Sequence, residues 1–489
     1  MARKRMVVMG GGGLLALVLM LLGFTLVQAR LQSPAELAYR NSVDQAPPGW
    51  RGPRFRLSHD YPRQRPAACD SLRECTWLSL PVDFASSPSD SVPQWENPVW
   101  NEYIQRVLRY VRVGQTPDLA NATGFRTVVN GATRWYHVPW MAYDPTAGRE
   151  FVHGTTNERT AHLRDLVGRD SLLLEMAGVH DQVGDGVGRG LHRLGSQSAA
   201  CTNFRNGWET WAVGVYNPQG GWSIGQVFGR DGRPQIGEYM GSPAPKGLPF
   251  PEGTVVAKFL TTNAPVECVG SLRGSPEWQI HRHKQDAQGN YTCQREVQVS
   301  RLVQVDVAVV DSRSPTRWVY GTFAYNGYLP GDNVWDKLVP VGLQWGSDPW
   351  TYPAVPKSES QTAIQSVLNK AMVTDSTYQH FGCNGRLAGP VDNPESSCLS
   401  CHGSAYAAPK GAPSQMGENV PPSFGFAGLC TNYSRDNAEY FKNVTYPQGW
   451  SGNYPDALNL DTSLQLEVAF NAYGLYHTQG RPNQCSMRN

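Results

Sequence analysis

The chain lacks an excess of charge of either sign. Its 489 residues hold 43 Lys and Arg against 41 Asp and Glu, a formal net charge of +2, without a long run of one sign. Domains that bind nucleic acid usually carry a strongly basic patch or stripe. The near-neutral balance therefore gives no electrostatic reason to expect a nucleic-acid partner.

Several common cofactor motifs are also missing. Gly186, Gly188 and Gly190 follow the pattern G-x-G-x-G, whereas a dinucleotide-binding loop needs G-x-G-x-x-G. No strand pattern precedes them either. The spacing C-x-x-C occurs once, at 398–401, whereas a zinc ribbon needs two such pairs. No internal repeat is evident in the sequence.

What the chain does have is apolar residues and residues typical of turns. Hydrophobic residues make up 40% and charged residues 17%, with 50 Gly, 36 Pro and 15 Trp. This composition is typical of a globular, loop-rich and β-rich protein, and the length predicts two or more domains.

The N-terminus carries a basic cluster followed by an apolar run. Lys4 and Arg5 precede residues 6–27, none of which is charged. This arrangement predicts a secretory signal or a membrane anchor, with the remainder of the chain exported. We expect residues 1–29 to be retained as a single anchor, although Val27-Gln28-Ala29 also suits cleavage.

The middle of the chain changes from irregular to β-rich. We expect a linker and irregular segment over 30–94 and a mixed helical and loop segment over 95–200, with an amphipathic helix at 98–113. We expect residues 201–355 to form a β-rich, antiparallel domain that is sandwich-like or an open barrel. Its predicted strands are 209–216, 222–228, 254–260, 302–311, 318–325 and 339–345.

The C-terminal residues 356–489 predict a small helical domain. Apolar spacing indicates helices over 358–373 and 461–473. The fold class expected for the whole chain is therefore α+β: an N-terminal apolar anchor, a large antiparallel domain and a small helical C-terminal domain.

This last segment contains the most specific motif, Cys398-Leu399-Ser400-Cys401-His402. C-x-x-C-H is the pattern by which haem is attached covalently: the two thiols reach two vinyl groups of the porphyrin, and the adjacent histidine ligates the iron. The C-terminal quarter thus resembles c-type cytochromes. The resemblance implies one haem c bound by Cys398, Cys401 and His402, one-electron chemistry and a bacterial periplasmic location.

The second axial position decides the chemistry of such a haem. Met416 is the first candidate ligand, with His477 and His380 as alternatives. A filled position favours electron transfer to a redox partner protein. An open position favours a haem-dependent oxidoreductase, peroxidase-like or oxygenase-like, whose small-molecule substrate binds the β-rich domain. A haem-free extracytoplasmic binding protein is the third alternative.

The other eight cysteines are an even number, which predicts disulfides in an oxidising compartment. Cys69 and Cys75 are close enough for a small loop, and Cys268 with Cys293 could staple a hairpin. Spacing does not pair the remaining four: Cys201, Cys383, Cys430 and Cys485.

Three weaker patterns each have a functional and an ordinary structural interpretation. Gly221-Trp222-Ser223-Ile224-Gly225 matches a hydrolase elbow, but its surroundings predict a hairpin. His281 and His283 share one face of a strand, where a polar edge is the simpler interpretation. His137, His153 and His162 could converge with Glu150 and Glu158 on one metal ion, although no spacing demands it.

Overall fold

The computed structural model describes the chain in segments. They are 48–50, 58–84, 95, 97–115, 125–141, 143–144, 148–149, 155–157, 170, 173–174, 176–177, 201, 208–229, 232–235, 248–287, 291–346, 366–372, 398–402, 405–407 and 458–478. The predicted anchor at 1–29 lies outside them. Within these segments no helix combines the length and the hydropathy needed to cross a membrane.

The described elements are mostly strands. The α-helices are α1 (Pro98–Val111), α2 (Pro218–Val227), α3 (Cys398–His402) and α4 (Leu464–Thr478). Short 3₁₀ helices lie at Thr76–Ser79, Gly270–Leu272, Val334–Lys337 and Lys370–Met372. The strands are β1 (Val128–Val129), β2 (Ala132–Thr133), β3 (Tyr143–Asp144), β4 (Gly148–Arg149), β5 (Thr155–Asn157), β6 (Thr210–Tyr216), β7 (Val255–Thr262), β8 (Glu277–Gln285), β9 (Tyr291–Val310), β10 (Trp318–Tyr325), β11 (Leu338–Gln344), β12 (Ser366–Leu368), β13 (Tyr406–Ala407) and β14 (Leu458–Asn459).

One eight-stranded antiparallel sheet dominates the fold. Its order is β12-β11-β10-β9-β7-β6-β5, and β8 pairs with the first half of the long strand β9. The register places Lys258 of β7 opposite Asp306 of β9, and Asp306 opposite Thr322 of β10. The sheet confirms the predicted large antiparallel region and five of its six predicted strands.

Helix α1 covers one face of this sheet, which we call the helix face. Asn97 caps the helix by accepting a hydrogen bond from the Val99 N–H, and Pro98 suits the first turn. Its apolar residues, including Tyr103 and Ile104, pack in one buried cluster with the alternating residues of β7, β9 and β10. This confirms the amphipathic helix predicted for 98–113.

The C-terminal elements cover the opposite face, which we call the C-terminal face. Trp318, Tyr320 and Tyr216 point to this side and share a buried cluster with Leu399 of α3 and Leu466 of α4. Helix α2 packs in the same cluster through Ile224 and Val227. The C-terminal segment and the sheet are therefore held together by a common apolar core.

The sandwich-like arrangement is not seen among the described strands. They form one large sheet and three two-stranded ones, and helices and loop segments cover both faces of the large sheet. Apolar residues on both sides of β9 and β10 look the same in sequence whether a second sheet or a helix covers them. The outcome is a mixed fold with a large antiparallel sheet and few helices.

The strand predicted for 222–228 is wrong, because residues 222–227 belong to α2 and Phe228 is its C-cap. Asn217 caps α2 by accepting from the Gly220 N–H, and Pro218 starts the first turn. The two glycines are needed there for close packing. A Cβ at Gly221 would lie 2.5 Å from the Tyr136 ring, and one at Gly220 would lie 2.8 Å from Tyr216.

The helix predicted over 358–373 is also wrong in its described part. Residues Ser366–Leu368 instead add strand β12 to the sheet beside β11. Gly342 of β11 permits the close approach, since a Cβ there would lie 2.5 Å from the Val367 carbonyl oxygen. The 461–473 helix is confirmed as α4, which begins three residues later.

Two disulfides are present among the described cysteines. Cys69–Cys75 closes the small loop that was predicted. Cys268 pairs with Cys201 rather than with Cys293. The hairpin register explains this, because β8 begins at Glu277 opposite Arg301, whereas Cys293 lies near the turn at the far end of the hairpin.

Candidate functional site

The C-x-x-C-H motif folds as the short helix α3 and docks on the C-terminal face. Leu399 is fully buried against the sheet cluster, and the Cys398 N–H donates to Gln344 Oε1 at 2.7 Å. Cys398, Cys401 and His402 stand at i, i+3 and i+4 of this helix. Of these three predicted haem-binding residues, the structure describes the side chains of Cys398 and His402.

His402 is anchored by one of its two ring nitrogens. Its Nδ1 lies 2.8 Å from the carbonyl oxygen of Thr462, sixty residues away in sequence. A carbonyl can only accept, so Nδ1 carries the proton and Nε2 presents a lone pair. This is the tautomer in which an imidazole can ligate a metal through Nε2.

The surroundings of His402 keep the ring neutral. Burial lowers the pKa of His402 to about 4; the Thr462 hydrogen bond opposes this shift, and the Lys258 ammonium adds to it. The imidazole is therefore uncharged at neutral pH. A ligand that needs no deprotonation binds a metal more readily than a protonated one.

The carbonyl that holds His402 belongs to a strained turn. Asp461 and Thr462 have φ of +46° and +68°, a region that costs a non-glycine residue on the order of 1–3 kcal/mol. The Asp461 carboxylate holds this turn on the sheet. It accepts from the Phe250 N–H at 2.8 Å, from Trp318 Nε1–H at 3.0 Å and from the Arg317 guanidinium at 3.1 Å.

Tyr320 contacts both His402 and Thr462, the two partners of the hydrogen bond at Nδ1. Its ring centroid lies 5.2 Å from that of His402 at an interplanar angle of 45°. Its hydroxyl donates to Thr462 Oγ1 at 3.1 Å. Burial raises the pKa of Tyr320 well above its usual value, so the hydroxyl keeps its proton and remains a donor.

Helix α4 fixes the other end of the same turn. The Ser463 hydroxyl accepts from the Leu466 N–H at the start of α4 and lies 2.8 Å from the Tyr216 hydroxyl on β6. Gln465 lies so close to Gly214 that a Cβ there would be 1.6 Å from its Nε2. The turn is therefore set by contacts to two strands, β6 and β10.

A charged pair lies on the same face of the sheet. Lys258 and Asp306 are half-buried and directly opposite each other on β7 and β9. Asp306 Oδ1 accepts from Thr322 Oγ1 at 2.8 Å and from Gln304 Nε2 at 2.7 Å. Lys258 thus has an acidic neighbour on the adjacent strand.

Several predicted site residues, or their side chains, lie outside the part of the chain that the structure describes. Met416 and His380 are outside the described residues, and His477 lies on α4 with its side chain undescribed. The sulfur of Cys401 is likewise undescribed. Sequence reasoning missed Tyr320, Asp461 and Thr462, because they reach the motif only through long-range contacts.

The competing motifs have ordinary structural surroundings. Ser223 is fully buried on the second turn of α2 and donates to the Pro249 carbonyl at 3.2 Å, so it is not exposed at a strand-to-helix turn. His281 and His283 lie on the edge strand β8, and Arg282 between them pairs with Glu209 and Glu296. Within the described segments, no group of three or more His, Cys, Asp or Glu could hold a metal ion.

The described residues of the motif have donor atoms of the kind that covalent haem would need. His402 would supply a neutral, oriented imidazole as a ligand to the iron. Cys398 and Cys401 stand on the same helix at the spacing that thioether attachment requires. The fit rests on the donor set and on the hydrogen bond at Nδ1.

Comparison with known proteins adds no relative to this picture: no family model matches the chain, and neither a curated protein nor a solved structure matches it significantly.

Proposed function

We propose that the protein is an exported, membrane-anchored c-type haem protein that transfers single electrons to a partner protein. One haem would be attached to Cys398 and Cys401 and ligated by His402. The observation that carries the proposal is the 2.8 Å contact between His402 Nδ1 and the Thr462 carbonyl. It orients a histidine that directly follows a C-x-x-C pair, and ligating histidines almost always have such a second partner.

The bound haem would supply reversible one-electron oxidation and reduction. The residues of the chain have separate roles around it. Cys398 and Cys401 would hold the group, and His402 would bind its iron through Nε2. The sheet gives a rigid support, since Leu399, Tyr320 and Trp318 belong to one buried cluster. Residues 1–29 would anchor the protein so that this support lies outside the cytoplasm.

The attachment is tested by haem staining of denatured protein. Cys401→Ala removes one of the two thioether positions and should abolish most of the staining at unchanged protein yield. Ser400→Ala is the matched control, since it lies between the two thiols on α3 and should keep full staining. Wild-type protein that loses all haem on denaturation would contradict covalent attachment.

The alternative enzyme function is separated by the visible spectrum. A low-spin haem that does not bind carbon monoxide has a filled sixth position, as an electron carrier requires. A high-spin haem that binds carbon monoxide has an open position and would favour peroxidase-like or oxygenase-like chemistry instead. His402→Ala should convert the first spectrum toward the second while the thioethers remain.

A further inference from the structure

Three residues from distant parts of the chain meet around one hydrogen bond. Tyr320 lies on β10, His402 ends α3, and Thr462 precedes α4. The Tyr320 ring packs on the His402 imidazole, and its hydroxyl binds the Thr462 side chain, whose own carbonyl binds His402 Nδ1. The three contacts close a triangle.

We propose that Tyr320 is a positioning residue for His402, which it holds from the sheet both directly and through Thr462. The effect of Tyr320 on iron ligation rests on the proposed function. Its effect on the orientation of the imidazole is independent of haem, because that orientation is a property of the polypeptide alone.

The strained backbone makes such a clamp necessary. Thr462 is β-branched and has a φ of +68°, a conformation that persists only where neighbouring groups over-determine it. Asp461 fixes the turn to β10 and to Phe250 on one side. The Tyr320 hydroxyl holds the Thr462 side chain itself. The Thr462 carbonyl itself accepts from the Leu464 N–H at 3.1 Å, so loss of the Tyr320 bond releases the side-chain end of this residue.

The bond from Nδ1–H to a carbonyl also affects the bond to the metal. It makes Nε2 a stronger base, and loss of such an outer partner typically weakens metal ligation on the order of 10- to 100-fold. Protons compete with iron for Nε2. Weaker ligation therefore means that acid displaces His402 from the iron at a higher pH.

Tyr320→Phe tests the clamp in the full-length haem protein, because it removes the hydroxyl and keeps the ring. We expect the acid midpoint of the low-spin spectrum to rise by about one pH unit, equal to about tenfold weaker ligation. Tyr325→Phe is the matched control. It lies on the same strand, and its hydroxyl donates to the Arg273 carbonyl on the helix face. It should leave the midpoint unchanged.

Thr462→Val tests whether Tyr320 acts through Thr462. Valine keeps the β-branch and the carbonyl but removes Oγ1, so it should reproduce the shift of Tyr320→Phe. The double variant should then equal either single variant, since both remove one interaction. An unchanged midpoint in Tyr320→Phe, or shifts that add in the double variant, would overturn the proposal.

The absence of haem from wild-type protein would refute the proposed function and leave the clamp to a second measurement. Nitrogen chemical shifts of labelled histidines report the tautomer of His402, with His402→Gln identifying the signal. A single Nδ1–H tautomer in the wild type that becomes a mixture in Tyr320→Phe supports the clamp. Identical tautomers in both proteins would refute it.

Discussion

The two faces of the large sheet are buried in different ways. The helix face is filled by apolar and aromatic side chains, such as Phe259, Phe323 and Tyr103, under α1. The C-terminal face has a comparable apolar cluster but also contains His402 and a strained turn. Buried polar groups must be satisfied, and strain persists only when it is over-determined. The difference is what we expect if the helix face supports the fold and the C-terminal face carries the proposed site.

Among the described residues, each face of the sheet has a fully buried aspartate. Replacing these two residues tests most directly whether the two faces differ in function. Asp461 accepts from Phe250, Trp318 and Arg317 on the C-terminal face. Asp311 accepts from the Tyr103 hydroxyl at 2.8 Å and from Arg313 at the edge of the helix face. Both carboxylates accept hydrogen bonds from an arginine and from a neutral donor, so the two aspartates have similar surroundings.

Replacement of either aspartate by alanine should destabilise the protein by about 2–4 kcal/mol, because buried donors lose their acceptor. In the proposed haem protein, only Asp461→Ala should also disturb the visible spectrum, because it releases the turn that presents the Thr462 carbonyl. Urea unfolding gives the first quantity and the visible spectrum the second. Equal spectral effects of Asp311→Ala would erase the functional difference between the faces.

A buried histidine beside the C-terminal face predicts sensitivity to acid. His137 is 2% exposed, and its Nδ1 accepts from the Ser58 N–H at 3.3 Å; its neighbours Tyr136 and Val138 belong to the cluster of that face. Burial lowers the pKa of His137 to about 3. The folded protein keeps this imidazole neutral, whereas the unfolded chain takes up a proton below about pH 6.5.

His137 should therefore make stability fall as the pH decreases from about 6.5 toward 3, by on the order of 1.4 kcal/mol per pH unit. His137→Asn keeps an acceptor near Nδ1 and removes the titration, so its unfolding free energy should depend less steeply on pH. Urea unfolding at several pH values measures both slopes. Equal slopes would show that His137 does not carry this dependence.

Local patterns predicted most of the sheet and α1. Strict alternation over 302–311 predicted β9, and three- and four-residue spacing over 98–113 predicted α1, because both patterns depend on which side is buried. The 222–228 segment failed because its helix depends on the Asn217 cap and on glycines packed against Tyr136 and Tyr216. Those contacts are not visible in a local window.

The same limit divides the candidate site. Spacing alone identified Cys398, Cys401 and His402, since covalent haem imposes it. The supporting residues were missed because their contacts span 60 residues from His402 to Thr462 and 144 from Arg317 to Asp461. Positive φ at Asp461 and Thr462 also explains why α4 begins at Leu464 instead of Asp461. Ser463, whose hydroxyl accepts from the Leu466 N–H, is a residue type typical of helix caps and could have indicated this start, whereas no local sequence pattern indicates the positive φ.

The smallest expected effect concerns the charged pair on the C-terminal face. Lys258 and Asp306 face each other on β7 and β9, and the ammonium lies close enough to His402 to lower its pKa. A positive charge disfavours oxidised haem, which carries one more positive charge than reduced haem. Lys258→Met should lower the reduction potential and Asp306→Asn should raise it.

Each shift should be smaller than about 59 mV, the value for a tenfold change in a one-electron equilibrium. The opposite signs matter more than the sizes, because a general loosening of the sheet would move both variants in the same direction. Redox titration of the two variants measures the shifts. Arg301→Met, at an exposed pair with Glu277 on the β8–β9 hairpin, is the control that should leave the potential unchanged. Shifts of one sign in both variants would mean that packing, and not charge, links this face of the sheet to the haem.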